Sequence, residues 1–210
     1  MMKVLSSLML AASINAIGIG SASATVIFSD NFDTYSYKLE AIAADFANNW
    51  VINSGSVDLI GNDTTVIPSQ QNYDFIPGNG MYVDLDGSTN AGGFFSTNDF
   101  SLNAGTYVIQ FSLAGSQNPN NDNDVTVTFG SFTETFTLLS SDLFQSYSRT
   151  VTLGSALSTA LAFKNSGGDN VGALLDNVSV TAVPEPSTYG LMFGGLIMVA
   201  GLVARKSRQS

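Results

Sequence analysis

The sequence contains no histidine and no cysteine, and only 11% of its 210 residues are charged. The absence of cysteine excludes disulfide bonds, a thiolate nucleophile and cysteine-ligated metal sites. The absence of histidine excludes a Ser-His-Asp triad and histidine metal ligands. Lysine and arginine are scarce, 7 against 17 Asp and Glu, and this balance argues against binding to nucleic acid phosphates. The length predicts one domain with flanking segments, and the low charge is typical of an exported β-protein.

Residues 1–24 have the pattern of a secretory signal peptide. Lys3 gives a positive start, and the stretch from Val4 to Ile19 is mostly apolar. Ser21-Ala22-Ser23-Ala24 then places small residues before a cut after Ala24. The chain is therefore predicted to be exported.

A second apolar run, from Tyr189 to Ala204, is followed directly by Arg205, Lys206 and Arg208. As a helix it would be roughly 24 Å long, slightly short of a hydrocarbon core of about 30 Å. Its four glycines would weaken a helix in water, whereas glycine is more frequent in membrane helices. We expect one transmembrane helix with its basic, stop-transfer end in the cytoplasm, so that the preceding domain lies outside the inner membrane.

Pro184, Glu185 and Pro186 stand immediately before this run. Together with the apolar span, the basic end and the signal peptide, the segment Val183 to Ser210 resembles the tail of the PEP-CTERM family of exported bacterial proteins. The resemblance implies that the three residues are a sorting motif, recognised by a membrane protease of the exosortase type. It also implies a Gram-negative source that makes extracellular polysaccharide, with anchoring in the inner membrane before processing and a later place at the cell surface or in the matrix. It says nothing about residues 25–182.

Residues 25–182 show a hydrophobic period of two, which predicts strands. Thr106 to Leu113 alternates strictly, and Gly130-Ser131 separates two alternating runs as a two-residue hairpin. We predict further strands at Trp50–Asn53, Val57–Ile60, Met81–Asp86, Phe144–Leu153, Leu157–Lys164 and Leu174–Thr181. The one helix-like stretch is Leu39 to Asn49. This pattern favours an all-β domain, an antiparallel β-sandwich of jelly-roll type.

Asp176 is a candidate metal ligand because it shares the parity of Leu174, Val178 and Val180 in a predicted strand. A buried carboxylate without a partner must be protonated, hydrogen-bonded or bound to a metal, and oxygen ligands alone point to Ca²⁺. The segment Leu175 to Val180 also resembles the last strand of bacterial carbohydrate-binding jelly rolls. That resemblance implies a structural calcium held with acidic residues of the first strand, here Asp30 and Asp33. Alternatively, Asp176 caps loop amides.

Asp84-Leu85-Asp86-Gly87-Ser88-Thr89-Asn90 has some features of a calcium loop but lacks the remaining positions and terminal Glu of an EF-hand. The pattern favours the end of a strand and a turn.

Three functions fit the residues 25–182. The first is non-catalytic polysaccharide binding, for which an aromatic surface is available among Tyr73, Phe75, Tyr82, Phe94, Phe95 and Tyr147. The second is a structural surface or biofilm protein without a specific ligand. The third is a polysaccharide hydrolase with two paired carboxylates, but no spacing in the sequence singles out a pair. We expect no catalytic residues and no cofactor other than Ca²⁺.

Overall fold

The computed structural model describes residues 23–62, 73–89, 91–184 and 195. The segment Ser23–Glu185 forms one compact unit. It contains thirteen strands and one short 3-10 helix in the described part. The strands are β1 Thr25–Asp30, β2 Trp50–Ser54, β3 Asp58–Gly61, β4 Met81–Asp84, β5 Phe94–Thr97, β6 Phe100–Leu102, β7 Gly105–Ala114, β8 Asn123–Phe129, β9 Phe132–Leu138, β10 Gln145–Leu153, β11 Leu157–Thr159, β12 Leu161–Asn165 and β13 Leu174–Val183.

All pairings between these strands are antiparallel, and they build two main sheets. The six-stranded sheet has the order β10-β7-β13-β4-β3, with β1 also paired to β13. The five-stranded sheet has the order β2-β5-β12-β8-β9, and β6 pairs with β11 in a small third sheet. Most neighbours are distant in the chain, so the sheets form only when remote segments come together.

The core lies between the two main sheets and confirms the predicted β-sandwich. Phe111 of the six-stranded sheet contacts Phe163 of the five-stranded sheet edge to face, with ring centroids 5.3 Å apart. Trp50 is fully buried and stacks on Phe95 at 4.3 Å. Alternation explains this packing, since each strand sends every second side chain to the inner face.

Several local predictions are confirmed and others are corrected. Gly130, with a φ of 59°, opens the two-residue turn between β8 and β9, where Phe129 pairs with Phe132. The predicted strand Leu157–Lys164 is divided into β11 and β12, which pair in different sheets. The helix-like stretch Leu39 to Asn49 holds only the 3-10 turn Ala43–Phe46, because Ala47 and Asn48 adopt left-handed backbone conformations.

A β-bulge in β13 corrects the predicted orientation of Asp176. The register with β7 shifts between Asp176 and Ser179, and Asn177 has a φ of 51°. The extra residue changes which face successive side chains occupy. Val178 and Val180 therefore pack in the main core, whereas Leu174 belongs to a separate apolar cluster. Asp176 lies on the outer face of the sheet with Leu174, and is nevertheless 2% exposed.

This separate cluster, which we call the outer cluster, consists of Ile60, Tyr82, Ala114 and Leu174. Its members come from β3, β4, β7 and β13, and Ile76 and Phe144 pack against it. The outer face of the six-stranded sheet is thus covered here by an irregular segment that includes Ile76. Polar groups on this face are consequently buried without being part of the sandwich core.

Among the described residues, no helix is long and apolar enough to cross a membrane. Apart from residue 195, the predicted transmembrane segment lies outside the described residues. The stop-transfer residues, Glu185, Pro186 and the signal peptide up to residue 22 also lie outside them.

Phe111→Ala tests the sandwich core. Phe111 is 1% exposed and contacts Phe136, Tyr147 and Phe163, so its truncation should lower the free energy of unfolding by about 3–5 kcal/mol. Phe75→Ala is the matched control because this ring is 40% exposed, and its loss should be several-fold smaller. Urea unfolding of the two variants measures the difference. Equal losses would contradict the assigned core.

Candidate functional site

The structure brings Asp30, Asp33 and Asp176 into one neighbourhood. Asp30 ends β1 and pairs with Val178 of β13, just beyond the bulge that carries Asp176. The amide nitrogen of Asn79 joins the same group by donating to Oδ2 of Asp176 at 3.2 Å. The charges of Asp33 and Asp30 act on Asp176, so the three acids predicted from the sequence lie near one another.

Their carboxylates accept hydrogen bonds from protein donors. Asp30 accepts from the hydroxyl of Tyr35 at 2.7 Å and from the indole nitrogen of Trp50 at 2.8 Å. Asp33 accepts from the backbone of Met81 at 3.0 Å. These bonds connect the end of β1 to the core tryptophan and to β4, so they position the loop that follows β1.

Asp176 accepts from the backbone nitrogen of Asn177 at 2.6 Å and from the Asn177 side chain at 2.8 Å. The pKa of Asp176 is raised to about 7, first by burial and then by the nearby charges of Asp33 and Asp30, while the bond from the Asn177 backbone opposes the shift. In the described part of the chain, no group of three or more Asp, Glu, His or Cys side chains is placed to hold a metal ion. The bonds at Asp176 agree with the alternative that it caps amides, and calcium at these residues stays a prediction.

A second acidic group lies on the outer face of β3 and β4. Asp58 and Asp84 are opposite each other in the antiparallel pair, and both are buried. Asp58 accepts from the backbone of Glu40 at 2.7 Å and from the hydroxyl of Ser88 at 2.7 Å. Asp84 accepts from the backbone of Gly172 at 3.0 Å. The two side chains therefore tie three loops to the sheet.

The pKa of Asp84 is raised to about 7, first because the side chain is buried and then because of the negative charges of Asp58 and Asp86. Backbone donors at Asp86 and Gly172 oppose this shift. The site thus holds two adjacent carboxyl groups of which one retains its proton near neutral pH.

A pocket of about 220 Å³ opens beside these carboxyl groups. Two of its lining residues are Tyr73 and Phe75, which are 39% and 40% exposed and have ring centroids 5.8 Å apart. The other lining residues are Asp58, Ile60, Asp84, Ser88, Asn170 and Val171. Exposed rings beside hydroxyl, amide and carboxyl groups provide both stacking and hydrogen bonding to one ligand.

Tyr82 positions the two exposed rings. Its hydroxyl is fully buried in the outer cluster, where it accepts from the backbone of Phe75 at 2.6 Å and of Ile76 at 3.1 Å, and donates to Asp74 at 3.3 Å. Burial raises the pKa of Tyr82 to about 12, so the hydroxyl stays protonated. The segment that carries Tyr73 and Phe75 is therefore fixed to β4.

The predicted aromatic surface is corrected by these positions. Tyr82 and Phe95 are fully buried, and Phe94 and Tyr147 are half-buried. Tyr147 packs against Phe111 and Phe136 at the sandwich edge. Only Tyr73 and Phe75 of the six form an exposed pair next to a polar pocket.

Comparisons with known proteins identify no matching family model and no matching curated protein. Solved structures with a similar fold include the CBM22-1 xylan-binding domain of Paenibacillus barcinonensis Xyn10C, at 14% identity and a TM-score of 0.48, covering 80% of this chain and 100% of that domain. A second is a carbohydrate-binding module of Cellvibrio mixtus lichenase 5A in complex with cellotriose, at 17% identity and a TM-score of 0.41, covering 76% and 100%.

A third is the K3 cleaved adhesin domain of Lys-gingipain from Porphyromonas gingivalis, at 15% identity and a TM-score of 0.43, covering 75% of this chain and 99% of that domain.

Asp84 makes the stability of the domain depend on pH. Its pKa rises from 3.8 to about 7 on folding, so the folded state retains a proton that the unfolded state has released. The stabilisation is complete below about pH 4 and is lost as the pH rises through 7. In EDTA, the melting temperature of the wild type should therefore fall between pH 5 and pH 8, and Asp176, with a pKa of about 7, adds to the fall.

Asp84→Asn should reduce this fall and raise the melting temperature at pH 8. The amide oxygen retains an acceptor for Asp86 and Gly172 but does not titrate. Asp122→Asn is the control because its exposed carboxylate accepts only a loop amide in the described part. An unchanged pH dependence in Asp84→Asn would contradict the assignment.

Proposed function

We propose that the chain is an exported, non-catalytic protein of the bacterial envelope or extracellular matrix that binds polysaccharide through its β-sandwich. The domain is of jelly-roll type, and the binding site is the pocket beside Tyr73 and Phe75. The tail from Val183 to Ser210 sorts the protein to the cell surface.

The single observation that supports the binding role is the exposed Tyr73–Phe75 pair at the edge of a polar pocket. Sugars offer apolar C–H faces and many hydroxyl groups, so a binding site combines aromatic rings with hydrogen-bonding side chains. Ser88 and Asn170 offer a hydroxyl and an amide within the same pocket, and the Asp84 carboxyl lies beside them. Tyr82 holds the rings in place, which lowers the entropy cost of ordering them on binding.

Charge selects the class of polysaccharide. Residues 25–182 contain only Lys38, Arg149 and Lys164 against sixteen Asp and Glu, a formal charge of −13. Arg149 is paired with Glu134 at 2.6 Å. An anionic glycan would be repelled by this surface, so the ligand is a neutral polysaccharide.

Two other functions remain as alternatives. A structural matrix protein needs no exposed aromatic pair, so the pair favours binding. A hydrolase would use two carboxyl groups with separated pKa values, and Asp58 and Asp84 are adjacent. Asp58 is occupied at both oxygens by Glu40 and Ser88, which favours a structural role for this acid.

Affinity electrophoresis of the full-length chain against a panel of neutral polysaccharides tests the binding role. At least one glucan, xylan or mannan should retard the wild type. Tyr73→Ala/Phe75→Ala should weaken that binding about tenfold or more, since the loss of two stacked rings costs more than ~1.4 kcal/mol.

Leu139→Ala/Leu143→Ala is the matched control. These side chains are 55% and 63% exposed but lie outside the pocket, so this variant should bind as the wild type does. No retardation by any polysaccharide, or equal weakening in both variants, would contradict the proposal. Release of reducing ends from the bound polysaccharide would instead support the hydrolase.

We retain Ca²⁺ as a structural ion at Asp30, Asp33 and Asp176. What supports it is that the charges of Asp33 and Asp30 contribute to the raised pKa of Asp176, and that none of the three is in an ion pair in the described residues. A bound cation would relieve this repulsion and fix the bulge of β13.

The sorting role rests on the resemblance of the tail to the PEP-CTERM family. The last strand, β13, ends at Val183, so in the sequence the motif begins directly after the folded strand. Its partners would be an exosortase-type protease and, before processing, the inner membrane. The final location would be the cell surface or the polysaccharide matrix.

Replacement of Pro184, Glu185 and Pro186 by alanine tests the sorting role in a host that has the processing system. The variant should accumulate in the membrane fraction at its full length, whereas the wild type is shortened. A control with Ser187 and Thr188 replaced by alanine should be processed normally. Processing of the motif variant at the normal rate would rule out recognition by these three residues.

A further inference from the structure

Two buried side-chain oxygens in the described part of the chain have no hydrogen-bond partner, Oδ1 of Asp86 and Oδ1 of Asn165. Asp86 is 0% exposed and Asn165 is 2% exposed. A buried acceptor without a donor costs about 1–3 kcal/mol, and more when it carries charge. If the two side chains are neighbours, one bound group could satisfy both oxygens.

Gly167 shows that the two side chains that carry these atoms are neighbours. A Cβ on this residue would collide with the Asp86 carboxylate and would lie 2.7 Å from Nδ2 of Asn165. Both side chains thus lie against the backbone of the same glycine. Asp86 follows β4 of the six-stranded sheet, and Asn165 ends β12 of the five-stranded sheet. The two side chains therefore come from different sheets.

The orientation of the Asn165 amide is fixed by its neighbour. Asn123 is buried and donates its own amide to the carbonyl oxygens of Asn121 and Val171, at 3.3 and 3.2 Å. Its Oδ1 is therefore the acceptor that Nδ2 of Asn165 contacts at 3.2 Å. Rotation of the Asn165 amide would lose this bond, so its oxygen is the atom that remains without a donor.

The second oxygen of Asp86 is already occupied. Oδ2 accepts from the backbone nitrogen of Gly168 at 2.9 Å and from that of Asp169 at 3.4 Å. These bonds turn Oδ1 away from the loop amides. The free oxygens of Asp86 and Asn165 are both acceptors, so the missing partner is a donor or a cation.

Charge favours a cation over a water molecule. The Asp169 carboxylate faces Asp86, and Asp84 lies two residues earlier in the chain. Within the described residues, none of these acids is in an ion pair. A water molecule would satisfy the acceptors but would leave the repulsion between the carboxylates uncompensated. Asp169 is exposed and would give an ion access from solvent.

We propose that Asp86, Asn165 and Asp169 bind a divalent cation of the Ca²⁺ type, separate from the ion expected at Asp176. Carboxylate and amide oxygens are the ligands that hard cations prefer, and water would complete the coordination shell. The ion would join the turn after β4 to the loop between β12 and β13. Asn170 of that loop lines the pocket, so the ion braces the pocket wall.

Asp86→Asn tests the site in the full-length chain, purified in detergent and stripped with EDTA. Equilibrium dialysis with ⁴⁵Ca²⁺ should show one bound Ca²⁺ fewer per chain than in the wild type. Which of the two proteins melts at the higher temperature should depend on whether Ca²⁺ is present. In EDTA the variant should melt above the wild type, because the new amide removes a buried charge. In excess Ca²⁺ the wild type should melt above the variant.

Asp122→Asn is the matched control, and it should keep the wild-type stoichiometry. Asp176→Asn separates the two ions, since Asp86→Asn should remove one Ca²⁺ in that background as well. If Asp86→Asn fails to fold, Asp169→Asn still tests the proposal. Asp169 is exposed, so its substitution should leave the fold intact and weaken the affinity for Ca²⁺ by about tenfold. Unchanged Ca²⁺ stoichiometry in Asp86→Asn, or unchanged affinity in Asp169→Asn, would overturn the proposal and leave a buried water or a proton at Asp86.

Discussion

The burial of carboxyl groups in a domain that has almost no cations is the constraint on which the rest of the structure depends. Asp58, Asp84, Asp86 and Asp176 are each at most 6% exposed, and none of them is in an ion pair in the described part of the chain. Their hydrogen bonds come instead from backbone amides, serine hydroxyls and asparagine side chains. Removing such a donor would leave a buried negative charge, so each loop that supplies one is held to the sheet.

This constraint explains why the irregular segments are ordered and where the candidate site lies. The outer face of β3, β4 and β13 carries Asp58, Asp84 and Asp176 beside the outer cluster, and the segment that includes Tyr73 and Phe75 covers it. The buried hydroxyl of Tyr82 anchors that segment by its backbone. The same face therefore supplies the polar groups of the pocket and fixes its aromatic rings. Burial on this face and the neighbouring carboxylates raise the pKa values of Asp84 and Asp176.

Much of the strand content could be predicted from the sequence, since β7, β8 and β9 alternate strictly and Gly130 marks their hairpin. The sequence could not show that Asp176 faces outward, because the bulge at Asn177 breaks the alternation that defined its parity. Tyr82 is predicted as a surface residue for a different reason: a period of two identifies the two faces of a strand but not a further segment that covers the outer face.

The role of Asp86 was also beyond sequence reasoning. The pattern after β4 predicts the end of a strand, and β4 does end at Asp84. The surroundings of Asp86, however, include Asn165 and Asp169, which lie about 80 positions further along the chain. No local pattern encodes that contact. The two exposed rings were among the six predicted aromatic residues, but only the tertiary structure separates them from the four that are wholly or partly buried.

Thermal unfolding of the full-length chain at pH 7.5, with Ca²⁺ and then with EDTA, tests most directly whether its buried carboxylates depend on a cation. An ion that binds only the folded state raises the melting temperature by mass action. The account predicts a clear rise with Ca²⁺ that Asp86→Asn reduces and that Asp86→Asn/Asp176→Asn abolishes. Identical melting temperatures in Ca²⁺ and in EDTA would contradict it, and would mean that hydrogen bonds and retained protons alone stabilise the acidic interior.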